Sequence, residues 1–191
     1  MLTERFDRAL TYAAIAHREQ RRKGSDTPYV AHLLSVCSLV LEHGGDEDQA
    51  IAALLHDVVE DQGGKPRLAE VKAQFGERVA AIVAACSDTD VVPKPPWKAR
   101  KLAYIEALHR HGPDSWLVSC ADKVHNADSI LRDHRILGEA IWDRFTGGKA
   151  GTLWYYRSLA DEFLRLMPGP LARTLDDVVS RLEAEAGGER R

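Results

Sequence analysis

Apolar residues recur at three- and four-residue intervals in nearly every segment of this chain, the spacing that places them on one face of an α-helix. No segment shows the alternation of β-branched and polar residues that indicates a strand. The pattern therefore predicts an all-α fold of about ten helices. The predicted helices span residues 3–21, 30–43, 46–61, 67–75, 77–87, 97–111, 114–132, 136–145, 150–166 and 170–186.

Glycine and proline mark the connections between these segments and indicate turns rather than flexible linkers. The clearest breaks are Gly24 to Pro28, Gly44-Gly45, Gly63-Gly64, Val91 to Pro96 and Gly147-Gly148. A chain of 191 residues is long enough to bury a substantial core in one domain. We therefore expect one domain over residues 1–186, followed by a polar tail over 187–191 that frays.

The charges are nearly balanced: 26 Lys and Arg against 29 Asp and Glu give a formal net charge of -3. This balance lacks the basic footprint of a duplex nucleic-acid binder. No window approaches the roughly 18 apolar residues of a membrane span, and the first residues do not form a secretory signal, so we expect a cytoplasmic protein. The cysteines are odd in number and without C-x-x-C spacing, which favours reduced core residues. They are Cys37, Cys86 and Cys120.

The run IAALLHDVVED, residues 51–61, abruptly adds ionisable side chains to an apolar helical segment. These are His56, Asp57, Glu60 and Asp61. Burying unpaired charge is costly, so such a cluster is usually neutralised by a metal or lines a wet cleft. On a helix, His56 shares a face with Glu60, and Asp57 shares one with Asp61. The pattern indicates a metal-dependent hydrolase in which a His-Asp pair holds a cation and two carboxylates act on a water molecule.

Two further residues extend this donor set. His32 follows Pro28 within the first turns of a predicted helix, where a packed histidine is the alternative interpretation. Asp122 ends an apolar run, and Asn126 lies one turn further on the same face. Two imidazoles and two carboxylates without a thiolate suit Mn²⁺, Fe²⁺ or Mg²⁺ better than a structural zinc site.

The spaced set H…HD…D is the mark of the HD phosphohydrolase superfamily. The segment HREQRRKGSDTPYVAH, followed by ALLHDVVED, WKARK and ADKVHN, resembles the hydrolase domain of the RelA/SpoT family, particularly its small stand-alone members, over residues 3–165. This resemblance implies a single HD-domain helical bundle with a metal site in its central cleft. It also implies manganese-dependent hydrolysis of the 3′-pyrophosphate of the alarmones ppGpp and pppGpp, giving GDP or GTP and pyrophosphate.

The resemblance assigns roles residue by residue. It implies the metal ligands His32, His56, Asp57 and Asp122. Glu60 and Asp61 resemble the pair that orients and activates water, and we favour Glu60 as the general base because it needs only hydrogen-bond reach to that water. The implied substrate contacts are Arg22, Lys23, Tyr29, Lys98, Asn126, Ser129, Arg144 and Tyr156. Without the resemblance, Arg22 and Lys23 indicate only the solvated basic end of a helix.

Two departures leave the substrate open. Asp128 stands where the family commonly has Arg, and Leu159 where it frequently has Trp. An HD phosphohydrolase acting on ppApp, on the 2′-phosphate of NADPH or on a nucleoside monophosphate is therefore the alternative function. A third hypothesis, a non-catalytic alarmone-binding protein, is disfavoured because a sensor needs no water-activating carboxylates. We expect a small-molecule nucleotide substrate and no nucleic-acid or membrane partner; the sequence leaves the oligomeric state undetermined.

Overall fold

The computed structural model describes residues 1–87 and 95–187. Within these ranges the chain forms ten α-helices and one 3-10 helix and no strand, which confirms the all-α prediction. The α-helices are α1 Glu4–Ala16, α2 Val30–Glu42, α3 Glu47–Leu55, α4 Val58–Gln62, α5 Lys65–Phe75, α6 Glu77–Cys86, α7 Trp97–Leu108, α8 Pro113–Leu137, α9 Gly148–Leu166 and α10 Pro170–Gly187. The 3-10 helix spans Gly138–Arg144.

The long helix α8 is the centre of the fold. It begins at Pro113, where proline suits the first turn because that N–H has no partner inside the helix. It packs against α2, α3, α6, α9, α10 and the 3-10 helix. The apolar faces of these helices form one connected core that includes the fully buried Leu33, Leu54 and Phe163. Polar residues on α8 therefore stand beside α2 and the end of α3.

The first helix ends at Ala16, five residues before the predicted end at 21. After His17 the backbone turns and pairs with itself instead of continuing the helix: the N–H of Arg22 donates to the carbonyl of Thr27, and the N–H of Tyr29 donates to that of Gln20. The polar run after Ala16 offers no apolar side chain to extend the buried stripe. The resulting loop carries residues 18–29 back toward α8.

The predicted helix 46–61 is broken into α3 and α4 at His56 and Asp57. The Nδ1 of His56 donates to the carbonyl of Ala53 over 2.8 Å, and in a continuous helix that carbonyl accepts from the N–H of Asp57. A new helical turn starts where the N–H of Asp61 donates to the carbonyl of Asp57. The break turns the His-Asp pair toward the interior.

The helix bounds in the second half of the chain differ from the predicted ones. The helix predicted over 114–132 extends to Leu137, and the segment predicted as a helix over 136–145 is the 3-10 helix. Helix α10 includes Gly187, the first residue of the predicted tail, while residues 88–94 and 188–191 lie outside the described part of the chain. The cysteines are unpaired, and two of them are buried. Among the described helices none is long and apolar enough to span a membrane.

Replacing Phe163 with Ala should destabilise the protein by about 3 to 5 kcal/mol, because the ring is fully buried in the core and its loss leaves a cavity. Chemical denaturation followed by circular dichroism measures the free energy of unfolding. Phe163→Leu is the matched control and should lose less, since it retains most of the apolar volume. A loss below about 1 kcal/mol for Phe163→Ala would mean that α9 is not part of the cooperative core.

Candidate active site

The two imidazoles and two carboxylates predicted as metal ligands converge from three places in the fold. His32 lies on α2, His56 and Asp57 at the break after α3, and Asp122 on α8. The Nε2 of His56 is 2.9 Å from Oδ2 of Asp57, and the Nε2 of His32 is 3.4 Å from the same oxygen. Oδ1 of Asp122 is 3.2 Å from Nε2 of His32 and 3.6 Å from Nε2 of His56. Both imidazoles are almost completely buried.

Neither Nε2 makes a hydrogen bond in spite of these short distances. The Nδ1 of His56 carries a proton, because that atom faces the carbonyl of Ala53, which can only accept. The Nδ1 of His32 lies 2.7 Å from the Nδ1 of His125. Burial, together with the nearby His32 and Arg22, lowers the pKa of His125 to about 4, so this ring is neutral and can accept the His32 proton. Burial lowers the pKa of His56, but Asp57 and Asp122 outweigh burial and raise that pKa well above its usual value. Because a metal binds an imidazole only at a deprotonated nitrogen, an ion between these groups would use the lone pairs of the two Nε2 atoms.

Lone pairs and carboxylate oxygens facing one another fit a divalent cation between them. The ligand atoms of His32, His56 and Asp57 lie within 4.8 Å of one another. Burial raises the pKa of the Asp57 carboxyl, but His56 and His32 outweigh burial and hold that pKa well below its usual range, so Asp57 is ionised. Mixed imidazole and carboxylate ligation suits divalent ions such as Mn²⁺ and Fe²⁺.

Neighbouring side chains hold both carboxylates of this cluster. The hydroxyl of Tyr29 donates to Oδ2 of Asp57 over 2.7 Å. The ammonium of Lys123 lies 2.6 Å from Oδ2 of Asp122, and the amide of Asn126 donates to Oδ1 of the same residue. The sequence analysis did not identify Lys123 or His125, although both are in the ADKVHN segment that supplied Asp122. Such partners orient the ligands of a metal site.

Asp61 is held at the edge of this cluster. The side-chain amide of Gln20 donates to its Oδ2 over 2.8 Å, and the oxygen of that amide accepts from Gln62 and lies 2.7 Å from Nδ1 of His17. Burial raises the pKa of Asp61, and the negative charges of Asp57 and Glu60 raise it further. The buried ring of His17 stacks on Tyr29 with 5.1 Å between centroids. The sequence analysis did not identify Gln20.

A cavity of about 960 Å³ opens between the loop of residues 18–29, α2, α8 and the 3-10 helix. Asp61 and the predicted metal ligand His32 line this cavity, whereas Glu60 does not line it. The described cations of its wall are Arg21, Arg22, Lys23, Arg132 and Arg144. Its described acids are Asp61 and Asp133. The cavity is therefore strongly cationic and suits a polyanionic ligand.

Most predicted substrate contacts line this cavity. They are Arg22, Lys23, Tyr29, Asn126, Ser129, Arg144 and Tyr156. Arg22 donates to the amide oxygen of Asn126 over 2.6 Å, and its guanidinium lies 5.6 Å from the centroid of the Tyr29 ring.

The remaining predicted contact, Lys98, does not reach the cavity. Its ammonium lies 2.9 Å from the centroid of the Trp154 ring, which binds the charge as a cation-π pair. Leu159, one of the two departures from the family pattern, is fully buried in the core. Its side chain therefore contributes packing rather than a ligand contact.

The chain is similar to known proteins in both sequence and structure. A family model described as the HD domain matches residues 9–147. The chain is similar to guanosine-3′,5′-bis(diphosphate) 3′-pyrophosphohydrolase MESH1 of Xenopus tropicalis, with 36% identity over 127 residues, 65% of this chain and 68% of the relative. It is similar to the enzyme of the same name from Drosophila melanogaster, with 35% identity over 141 residues, 72% of this chain and 74% of the relative. A solved structure of a metazoan ortholog of SpoT that hydrolyses ppGpp superposes with a TM-score of 0.78 at 29% identity, covering 95% of this chain and 97% of that one.

Proposed function

The chain belongs to the HD domain family, and from this premise we propose that it is a metal-dependent hydrolase that removes the 3′-pyrophosphate of ppGpp and pppGpp. Its pyrophosphohydrolase relatives and the ppGpp-hydrolysing structural neighbour support this activity. The observation that carries the proposal is that a cationic cavity reaches the His-Asp cluster, since His32 of that cluster lines its wall. The cluster suits a scissile phosphate, and the cationic wall suits the remainder of a polyphosphorylated nucleotide.

The proposed metal ligands are His32, His56, Asp57 and Asp122, with Mn²⁺ as the resident ion and Fe²⁺ or Mg²⁺ as alternatives. A divalent ion bound there supplies Lewis-acid polarisation of a phosphate oxygen and lowers the pKa of water. The protein keeps the ligands ready for the ion: Ala53 and His125 fix the two imidazole tautomers, and Tyr29 and Lys123 hold the two carboxylates. This preorganisation reduces the reorganisation that binding requires.

In the proposed reaction a water oxygen attacks the phosphorus next to the ribose, and the bond between that phosphorus and the 3′-oxygen breaks. Asp61 accepts a proton from the water, since its carboxylate lines the cavity beside the metal cluster. The 3′-oxygen leaves and takes a proton from solvent, so the products are GDP or GTP and pyrophosphate. A base with a raised pKa suits this transfer near neutral pH.

The structure favours Asp61 over Glu60 for the base. Glu60 was preferred from the sequence, but Asp61 lines the cavity and is oriented by Gln20, whereas Glu60 does not line the cavity. We therefore assign the proton transfer to Asp61. The negative charge of Glu60 contributes to the raised pKa of its neighbour.

The charge of the cavity argues against a nucleoside monophosphate as the preferred substrate. The described part of its wall carries five cations and two acids. A single phosphate bound at the metal ligands neutralises little of the positive charge on this wall. A nucleotide with phosphate groups at both its 3′ and 5′ positions neutralises them better, because complementary charge favours binding in a cleft.

A substrate panel tests the proposed function. The purified protein with Mn²⁺ is incubated separately with ppGpp, ppApp, NADPH and GMP, and released pyrophosphate and orthophosphate are quantified. Pyrophosphate from ppGpp at the highest kcat/KM is the expected result. Orthophosphate from GMP or NADPH with ppGpp uncleaved would replace the proposal with the alternative phosphohydrolase, and tight ppGpp binding without turnover would indicate a sensor.

Replacing Gln20 with Leu should lower kcat by about 10- to 100-fold, the usual effect of removing a partner that orients a functional group. The amide holds Asp61 by a 2.8 Å hydrogen bond and none of its hydrogen bonds reaches a proposed metal ligand, so Mn²⁺ affinity should change little and KM should change by a smaller factor than kcat. Steady-state kinetics and metal titration measure the three quantities. Gln62→Leu is the matched control, since it removes a neighbouring amide that reaches Gln20 but not Asp61. Equal kcat values for Gln20→Leu and the unaltered protein would contradict the proposed orientation of Asp61.

A further inference from the structure

Asp128 lies on α8 beside the cavity but does not line it. Its Oδ2 is 3.2 Å from the Nε of Arg132, one helical turn further along. Arg132 does line the cavity. The acid at position 128 therefore directs its charge to a neighbouring arginine rather than to a ligand in the cavity.

Arg132 is held at a second point. Its Nη2 donates to the hydroxyl of Ser129 over 3.2 Å, and that hydroxyl donates to the carbonyl of His125 over 2.8 Å. The guanidinium has five N–H donors in a planar fork, so these two contacts leave donors for another partner. Anchoring by Asp128 and Ser129 reduces the side-chain entropy that the arginine loses when it binds an anion.

Arg144, the other arginine in this part of the cavity wall, is paired with an acid that also lines the cavity. Arg144 lies 2.7 Å from Oδ2 of Asp133 and packs against Gly24, which has a φ of 74°. Arg144 and Asp133 both line the cavity, so their charges largely cancel there. Arg132 also pairs with an acid, but Asp128 does not line the cavity, so the guanidinium is the member of this pair that a ligand in the cavity can contact.

The position of Arg132 separates it from the metal cluster. It follows Asp122 by ten residues on α8, which is about 15 Å along a helix axis. A nucleotide with its 3′-phosphates at the metal ligands directs its 5′-phosphates away from them, because the two groups leave opposite sides of the ribose. The guanidinium fork matches the geometry of phosphate oxygens.

We propose that Arg132 binds the 5′-phosphates of the nucleotide and that Asp128 is a positioning residue for it. This inference rests on the proposed function for the orientation of the nucleotide. It gives the acid at position 128, where the sequence resemblance leads one to expect arginine, a role compatible with a phosphate-binding cavity. Arg132, one turn later on the same helix, is the cation that contacts the phosphate.

Arg132→Gln tests the inference through two substrates, ppGpp and guanosine 3′-diphosphate, which lacks the 5′-phosphates. The KM for ppGpp should rise by about 10-fold or more, because a charged hydrogen-bond partner is lost, while kcat stays within about 2-fold. The KM for guanosine 3′-diphosphate should stay within about 2-fold of the value for the unaltered protein. Asp128→Asn should raise the KM for ppGpp by a smaller factor, about 3-fold, with the same selectivity.

The matched control is Arg135→Gln. Arg135 is also on α8 but pairs with Glu185 of α10 and does not line the cavity, so the KM values for both substrates should be unchanged. Equal increases of KM for the two substrates in Arg132→Gln, or no increase, would overturn the inference while leaving the hydrolase activity established.

Binding of GDP tests the same contact without turnover, because GDP carries only the 5′-phosphates. Isothermal titration should show about 10-fold weaker GDP binding to Arg132→Gln and unchanged binding to Arg135→Gln. No GDP binding to the unaltered protein, or equal affinity in Arg132→Gln, would overturn the inference. Failure of the proposed function is a separate result: the unaltered protein then releases no pyrophosphate from ppGpp, whatever its affinity for GDP.

Discussion

Asp57→Ala is expected to abolish Mn²⁺ binding and, with it, hydrolysis of ppGpp. Oδ2 of Asp57 is the oxygen that both Nε2 atoms approach, and it is also the acceptor for the Tyr29 hydroxyl. Its removal leaves the two imidazoles with Asp122 alone as a carboxylate. The loss of metal affinity should exceed the roughly 100-fold that changes in the outer partners of a metal site cause. Titration of the metal-free protein with Mn²⁺ measures the affinity.

Two controls separate metal binding from folding. Asp57→Asn keeps the shape of the side chain but removes its charge, and it should also bind Mn²⁺ poorly because an amide oxygen is a weaker ligand for a divalent ion. The circular dichroism spectrum of each variant should match that of the unaltered metal-free protein. Undiminished Mn²⁺ affinity in well-folded Asp57→Ala would show that the ion binds elsewhere.

Asp61→Asn is expected to keep Mn²⁺ bound and to lower kcat by roughly 100-fold or more, as for the loss of a general base. Asn retains the shape of the side chain and can still contact Gln20, but it cannot accept the proton from the attacking water. The affinity for ppGpp should change by a much smaller factor, because the base acts in the transition state. Single-turnover kinetics with enzyme in excess measures the chemical step directly.

Glu60→Gln is the matched substitution for this prediction, since it alters the adjacent carboxylate in the same way. Its kcat should fall by less than that of Asp61→Asn, because Glu60 does not line the cavity. A larger loss in Glu60→Gln than in Asp61→Asn would return the role of base to Glu60, as the sequence analysis first favoured. Loss of Mn²⁺ from Asp61→Asn would contradict the division between metal ligands and base.

The candidate metal-ligating residues could be predicted from the sequence because only a few residue types bind a metal ion. His32, His56, Asp57 and Asp122 stand out as polar residues in apolar helical segments, and the fold brings all four together. Helical periodicity likewise predicts α2, α6 and α9 within a few residues. These features depend on local spacing, which the sequence carries directly.

The direction in which side chains point was harder to predict, because it depends on contacts between distant segments. The break at His56 comes from a side-chain hydrogen bond to Ala53 that no periodicity reveals. Lys98 lies on Trp154, a contact that requires α7 to pack against α9. A continuous helix over 46–61 would also place Glu60 and Asp61 differently from the separate helix α4. The preference between these two carboxylates therefore needed the structure.

The partners of the ligands were missed for a related reason. Lys123 follows Asp122 by one residue and is therefore on a different face of the helix. His125 follows Asp122 by three residues and shares its face, but the spacing alone does not show what its ring contacts. His125 becomes significant only because α2 brings His32 to its Nδ1. Gln20 lies in a segment predicted as helix, and the observed loop directs its amide to Asp61.

The most direct test of the proposed mechanism is hydrolysis of ppGpp in ¹⁸O-labelled water by protein stripped of metal and reloaded with Mn²⁺. The products are separated by anion-exchange chromatography, and their isotope content is measured by mass spectrometry. The proposed mechanism predicts GDP without label and pyrophosphate carrying one ¹⁸O atom, with no reaction in the metal-free protein or in Asp57→Ala. Label in GDP, orthophosphate as the product, or equal turnover without metal would contradict it.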